Sequence, residues 1–297
     1  MESVPNFSEG KRREVVERIA DAARSVPNVR VLDLHADEDH NRSVLTLVGE
    51  EGPLREAVFR SMAAATELID LRNHSGEHPR VGATDVVPFI PLMGTTMKEA
   101  VAAAEALGQR VADELGIPVY FYEEAARRPE RQNLENIRRK GFEELRDAIA
   151  ADPNRAPDLG PHAVHPSAGA AVIGARGPLI AYNIYLGTDD LSLAKTIART
   201  VRHSSGGLRY VKALGIDIPA RGQVQVSMNL TDFRRSALQT VFEMVKSQAE
   251  AHGVSVTDSE IVGLVPIQAL IDAARFYLRL HDFDTDQILE TKIMSTE

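Results

Sequence analysis

The amino-acid sequence predicts an α+β protein made of two ferredoxin-like βαββαβ layers, each with helices on one face of a largely antiparallel sheet. Three observations predict it. Short β-branched runs alternate with amphipathic stretches, an antiparallel strand pair stands early in the chain, and the order strand, helix, strand, strand, helix, strand recurs in the second half. The 297 residues allow one large domain or two of about 150. Arg127 to Gly169, rich in Arg, Pro, Gly and Asn, reads as a long connection, so a boundary is placed near its end, giving domains 1–176 and 177–297.

The elements follow in order. Val15, Val16, Ile19, Ala22 and Ala23 recur at helical spacing over 13–26, after Ser8-Glu9-Gly10 and before Pro27. Strands over 29–34 and 43–48 pair across a polar link from Asp37 to Arg42. A second amphipathic helix spans 53–70, with Pro53 in its first turn. A buried strand over 86–92, an Ala-rich helix over 97–115 and a strand over 117–122 come next, then a short helical piece over 141–150. In the second half, strands are expected over 179–186, 210–214, 223–230 and 254–264, and helices over 190–203, 236–252 and 267–278.

Hydrophobic residues make up 43% and charged residues 26%, enough to bury a sizeable core. The 34 Lys and Arg against 43 Asp and Glu leave a net charge of −9, which argues against general binding of phosphate backbones while leaving room for a local basic pocket. Cysteine is absent, which excludes disulfides, thiolate nucleophiles and Cys-based metal sites and fits a reducing compartment. The first residues lack a basic-then-apolar signal and no run of 18 apolar residues occurs, so a cytoplasmic protein is expected.

The densest polar segment is the loop 71–85, with His74, Glu77, His78, Arg72, Arg80 and Asp85 between a helix and an apolar strand. Pro79 disfavours helix at His78. An imidazole there suits proton transfer near neutrality, oriented by Glu77 or Asp85; a structural hydrogen-bonding role is the alternative. His74 and His78 are four apart, as in zinc-binding His-Glu-x-x-His helices, but that motif is absent and Gly76 with Pro79 breaks the helix it needs. The cluster Asp37 to Arg42 lacks the spacing of a calcium loop and reads as a solvated hairpin tip, from which Asn41 and Arg42 are the candidates to face a ligand. Gly160, Pro161, His162, Ala163, Val164, His165, Pro166, Ser167, Ala168 and Gly169 form a small, Pro- and Gly-rich segment that suits close approach to a flat ligand or a plain linker. Nucleotide-fingerprint, P-loop and nucleophile-elbow patterns are absent. Ser204 to Arg209 reads as a turn, and Asn229 ends an alternating strand where it reaches a cleft or caps a helix.

Val4-Pro5-Asn6-Phe7-Ser8-Glu9-Gly10, Asp39-His40-Asn41-Arg42-Ser43-Val44, His74-Ser75-Gly76-Glu77-His78-Pro79-Arg80, the stretch Gly82 to Pro91, and Val224 to Leu230 together resemble the glutamate formimidoyltransferase (formiminotransferase) family, from about Val4 to Leu280. The resemblance implies two subdomains whose sheets face one another across a cleft, helices outside. It implies transfer of a formimidoyl group between N-formimidoyl-L-glutamate and the co-substrate tetrahydrofolate in histidine degradation, without a metal. His78 falls on the family's catalytic histidine and residues 160–169 on its folate-binding loop. Arg42 and Arg80 are the expected carboxylate anchors. The cyclodeaminase domain fused to animal members is not expected here, nor are nucleic-acid or membrane partners; a homodimer is expected. Ser3 replaces a frequent Cys, His35 an Asp of animal members, and Ala168 an aromatic whose loss weakens stacking on the pterin. Formyl transfer from 5-formyltetrahydrofolate to glutamate and a noncatalytic folate-binding role are the alternatives.

Overall fold

The computed structural model describes every residue except Asp39, Glu77, His78, Met93 and 295–297. The chain divides into two compact units, 1–176 and 177–297.

In the first unit the elements run β1 (Glu2–Ser3), β2 (Asn6–Phe7), α1 (Arg13–Arg24), β3 (Val29–Asp37), β4 (Arg42–Gly49), α2 (Glu51–Leu68), β5 (Thr84–Ile90), α3 (Met97–Leu115), β6 (Val119–Glu123), α4 (Leu134–Arg138), α5 (Gly141–Ala148) and β7 (Ala171–Ala175). The short strands β1 and β2 lie between β4 and β5, antiparallel to both, and β3 flanks β4. Beyond β5 the sheet continues with β7 and then β6, all three parallel. Sequence reasoning misses β1 and β2 because two-residue strands interrupted by Val4-Pro5 show no alternation. It misses β7 because Ala171-Val172-Ile173-Gly174-Ala175 has few strand-favouring residues. Small residues are required there: a Cβ on Gly174 would stand 2.4 Å from the Tyr122 carbonyl oxygen.

Helices α1, α2 and α3 bury one face of this sheet, with Phe7, Leu45, Leu47, Leu54, Met62 and Phe89 at its centre. Each such side chain contributes about 1.5–3 kcal/mol by leaving water. Parallel strands need cover on both faces. Ile137 of α4 and Leu145 of α5 supply it, packing on Val86, Tyr120, Tyr122 and Val172. The stretch 127–169, expected as a connection near a boundary, is therefore part of the first unit's second layer. At Ser3 the hydroxyl is fully buried and donates to the Pro88 carbonyl at 2.9 Å, a packing role that needs no thiol.

The second unit runs β8 (Ile180–Leu186), α6 (Leu191–Val201), β9 (Val211–Ile218), β10 (Gln223–Leu230), α7 (Leu238–Ala251), β11 (Val256–Val262), α8 (Ile267–Leu278) and α9 (Leu289–Met294). Its antiparallel sheet is ordered β11-β8-β10-β9. Within each unit the strand that opens the βαββαβ run thus sits between the third and the fourth. Ile184, Val224, Val226, Ile197 and Val241 fill the core under α6 and α7. Asp190 caps α6 by accepting from the Ser192 and Leu193 N–H groups.

Candidate active site

Four motif segments meet in the first unit. The loop after α2 is pinned at its start by the Leu71 N–H to the Ser167 carbonyl, at 2.8 Å. At its end the Ala83 N–H reaches the Ala168 carbonyl at 2.8 Å, and the Ala170 N–H reaches the Val81 carbonyl at 2.9 Å. Ser8 closes the other side, donating through its hydroxyl to the Gly82 carbonyl at 2.7 Å. The backbones approach so closely that a Cβ on Gly82 would lie 1.8 Å from the Ala170 carbonyl oxygen, and Gly169 adopts φ 72°. Only glycine fits either position.

Asn41 clasps the hairpin tip to the same loop. Only 8% exposed, it accepts from the Gly10 N–H at 3.0 Å and donates to the Ser75 carbonyl at 2.9 Å. Its own carbonyl lies 3.1 Å from His74 Nε2, which therefore carries the proton. Asn41 has φ 47°, a conformation Asn tolerates better than most residues. Asn41→Ala should destabilise the first unit by about 2 kcal/mol, combining lost hydrogen bonds with left-handed strain. Chemical denaturation checks this, and a change below about 0.5 kcal/mol would contradict the clasp.

Charge concentrates beside the clasp. Asp85, 1% exposed, accepts from the Val81 N–H at 2.9 Å and from Arg138 Nη2 at 2.5 Å, with Arg42 Nη1 at 3.6 Å. Arg42 also donates to the Asn6 side-chain oxygen through Nε at 3.1 Å. Burial and the neighbouring Arg138 charge pull the Arg42 guanidinium down to about 9, against the pull of Asp85, so it stays protonated at neutral pH. Arg80 donates to the His74 carbonyl at 3.1 Å and to Glu143 at 2.9 Å. His165 Nδ1 accepts from the Ala168 N–H at 3.0 Å.

Residues 1–176 match the formiminotransferase domain, N-terminal subdomain, and residues 181–294 match the formiminotransferase domain. The chain belongs to the formiminotransferase family. A glutamate formimidoyltransferase of Thermoplasma acidophilum is 49% identical over 99% of this chain and 97% of its own length. A glutamate formimidoyltransferase of Streptococcus pyogenes is 44% identical over 99% and 98%. The formimidoyltransferase-cyclodeaminase of Sus scrofa is 44% identical over 93% of this chain but only 52% of its own length.

Of the residues singled out above, Asn41, Arg42 and Arg80 gather about the loop 71–85 of the first unit, which the segment Gly160 to Gly169 meets through Ser167, Ala168 and Gly169, while Gly160 lies beside Ile117 and Pro118. His78 and Glu77 lie outside the described residues. Asp85 does not stand free to orient an imidazole: its oxygens are occupied by Val81 and Arg138. Pro161, His162 and Ala163 are exposed, whereas Ala168 is 1% exposed in the main core. A side chain at 168 therefore packs inward, and its size bears on the core rather than on stacking against a ligand. His35 is exposed on β3, and Asn229 is exposed on β10 of the second unit. Among the described residues no three His, Asp or Glu could jointly hold a metal ion, and no helix is long and apolar enough to cross a membrane. Sequence reasoning misses Arg138, whose only signal is the density of arginines after Arg127.

His74 and His165 give a pH signature. Burial, chiefly, and the Arg80 charge hold His74 below the ordinary histidine value against the pull of the Asn41 carbonyl; burial does the same at His165. With both folded values below the unfolded one, their contribution to stability is complete above about 6.5 and is lost as pH falls through the depressed folded values. Melting temperature should decline from pH 7.5 to 5.5 more steeply in the wild type than in His74→Gln; equal slopes would contradict the assignment.

Proposed function

We propose that this protein is a glutamate formimidoyltransferase, transferring the formimidoyl group of N-formimidoyl-L-glutamate to tetrahydrofolate to give 5-formimidoyltetrahydrofolate and L-glutamate. The observation that carries the reading is coverage. Both formiminotransferase matches together span nearly the whole chain, and two glutamate formimidoyltransferases align over 99% of it.

The reaction forms one carbon–nitrogen bond and breaks another. The N5 amine of the folate attacks the amidine carbon, giving a tetrahedral intermediate. N5 then loses a proton, the glutamate nitrogen gains one, and collapse expels glutamate. One group that takes and returns a proton suffices, and His78 is our choice for it. Arg80 is a workable carboxylate anchor because its partner Glu143 is 57% exposed at the side chain and can be exchanged for a substrate carboxylate. Arg42, held by Asn6 and Asp85, serves the architecture of the loop at least as much as binding. The exposed Pro161 to Ala163 offer backbone to a flat ring. The same reading makes the protein a metal-independent cytoplasmic enzyme acting as a homodimer.

Incubation with N-formimidoyl-L-glutamate and tetrahydrofolate, followed by product analysis, tests this directly. Formation of 5-formimidoyltetrahydrofolate is the expected result. No transfer from the formimidoyl donor, with turnover of N-formylglutamate instead, would replace it with formyl transfer.

A further inference from the structure

The carboxylate of Asp85 touches three separate pieces of the first unit: Val81 on the returning limb of the loop, Arg138 on α4 and Arg42 at the start of β4. Its neighbours on β5, Thr84 and Val86, are buried, so the carboxylate sits where a charge has to be paired. Arg138 is brought to it on a deliberately fixed helix. Ile137 beside it is 3% exposed in the second core, and Arg155 donates to the Ile137 and Arg139 carbonyls at 3.1 and 3.3 Å. A buried ion pair of this kind adds little net stability compared with a hydrophobic substitute, but it defines direction and distance for whatever it holds. Here it holds Val81, three residues beyond His78 in sequence, and the guanidinium of Arg42.

We propose that Asp85 and Arg138 are positioning residues for the transfer reaction, fixing Val81 and Arg42 without touching either substrate. The inference rests on the function proposed above and identifies which buried charges serve it.

The test measures kcat and KM for both substrates in wild type, Arg138→Gln, Arg138→Lys and Asp85→Asn, each checked for a cooperative melt. In Arg138→Gln, kcat should fall by about tenfold or more, because small misplacements of reacting groups carry large rate penalties. KM for both substrates should stay within about threefold of wild type, because Arg42 keeps its charge and its bond to Asn6. Arg138→Lys, which keeps the charge, should recover part of the lost kcat, and Asp85→Asn should reproduce the loss. Wild-type kcat in a folded Arg138→Gln or Asp85→Asn overturns the inference. So does a loss confined to KM, which would mean contact with substrate, and so does failure of both variants to fold, which would mean a role in stability alone. Absence of transfer by the wild type would instead overturn the function itself, and the inference with it.

Discussion

His78→Ala is expected to lower kcat for formimidoyl transfer by about 10²- to 10⁴-fold while leaving the melting temperature within a few degrees of wild type. The tetrahedral intermediate can expel either amine, and the aliphatic glutamate nitrogen, the more basic of the two, leaves only once it is protonated. Without a group to carry the proton from N5 to the glutamate nitrogen, collapse returns the intermediate to reactants. The binding of tetrahydrofolate should change little, because a proton carrier acts on the transition state and not on ground-state affinity. A folded His78→Ala protein that binds tetrahydrofolate and transfers at the wild-type rate would remove the imidazole from the mechanism.

The largest stability effect is expected at Asp158. Its side chain is 4% exposed and lies 2.7 Å from Arg131 Nη1, itself 4% exposed, and it accepts from the Phe121 N–H at 2.8 Å. Arg131 is further held by the Ala156 carbonyl at 2.5 Å and stacks on Tyr120 with 5.0 Å to the ring centroid. Asp158→Ala leaves a guanidinium and a strand N–H buried without their partner, at a cost of about 3–5 kcal/mol. For a unit of this size that corresponds to a fall in melting temperature of about 10 °C. The change also strips β6, the edge strand, because Asp158 and Leu159 cover it, the Leu159 carbonyl accepting from the Val119 N–H at 2.9 Å. Aggregation on heating should accompany the loss. A destabilisation below about 1 kcal/mol would show that water replaces the carboxylate, and the pair would then count as an exposed one.

Much of this architecture was legible in the residues. The strand β10 and the helices α3 and α8 lie over the residues expected for them, whereas β3 runs three residues past the expected end and is interrupted by a register shift at Leu32. What escaped detection depends on long-range packing. The pair β1 and β2 is strand only because β4 and β5 hold both its edges, and β7 is a central strand made of residues whose merit is their small size. The site divides in the same way. The loop 71–85 announces itself by its density of titratable groups, Gly82 by its place within it, and Gly169 by its place at the end of the Pro- and Gly-rich segment 160–169. Arg138 is one arginine among many until α4 turns it toward Asp85. Asn41 reads as a candidate to face a ligand from a hairpin tip, whereas its side chain is consumed in tying Gly10 to Ser75.

The position of β1 and β2 carries a consequence for synthesis on the ribosome. Glu2 pairs with Val48 and Ile90, so this piece of chain is flanked by pieces that emerge long after it. At a few to twenty residues per second it waits several seconds for its neighbours. That part of the sheet therefore closes only when β5 arrives, and a nascent chain halted before β5 would hold strands with an open side, a form for holdase chaperones to shield.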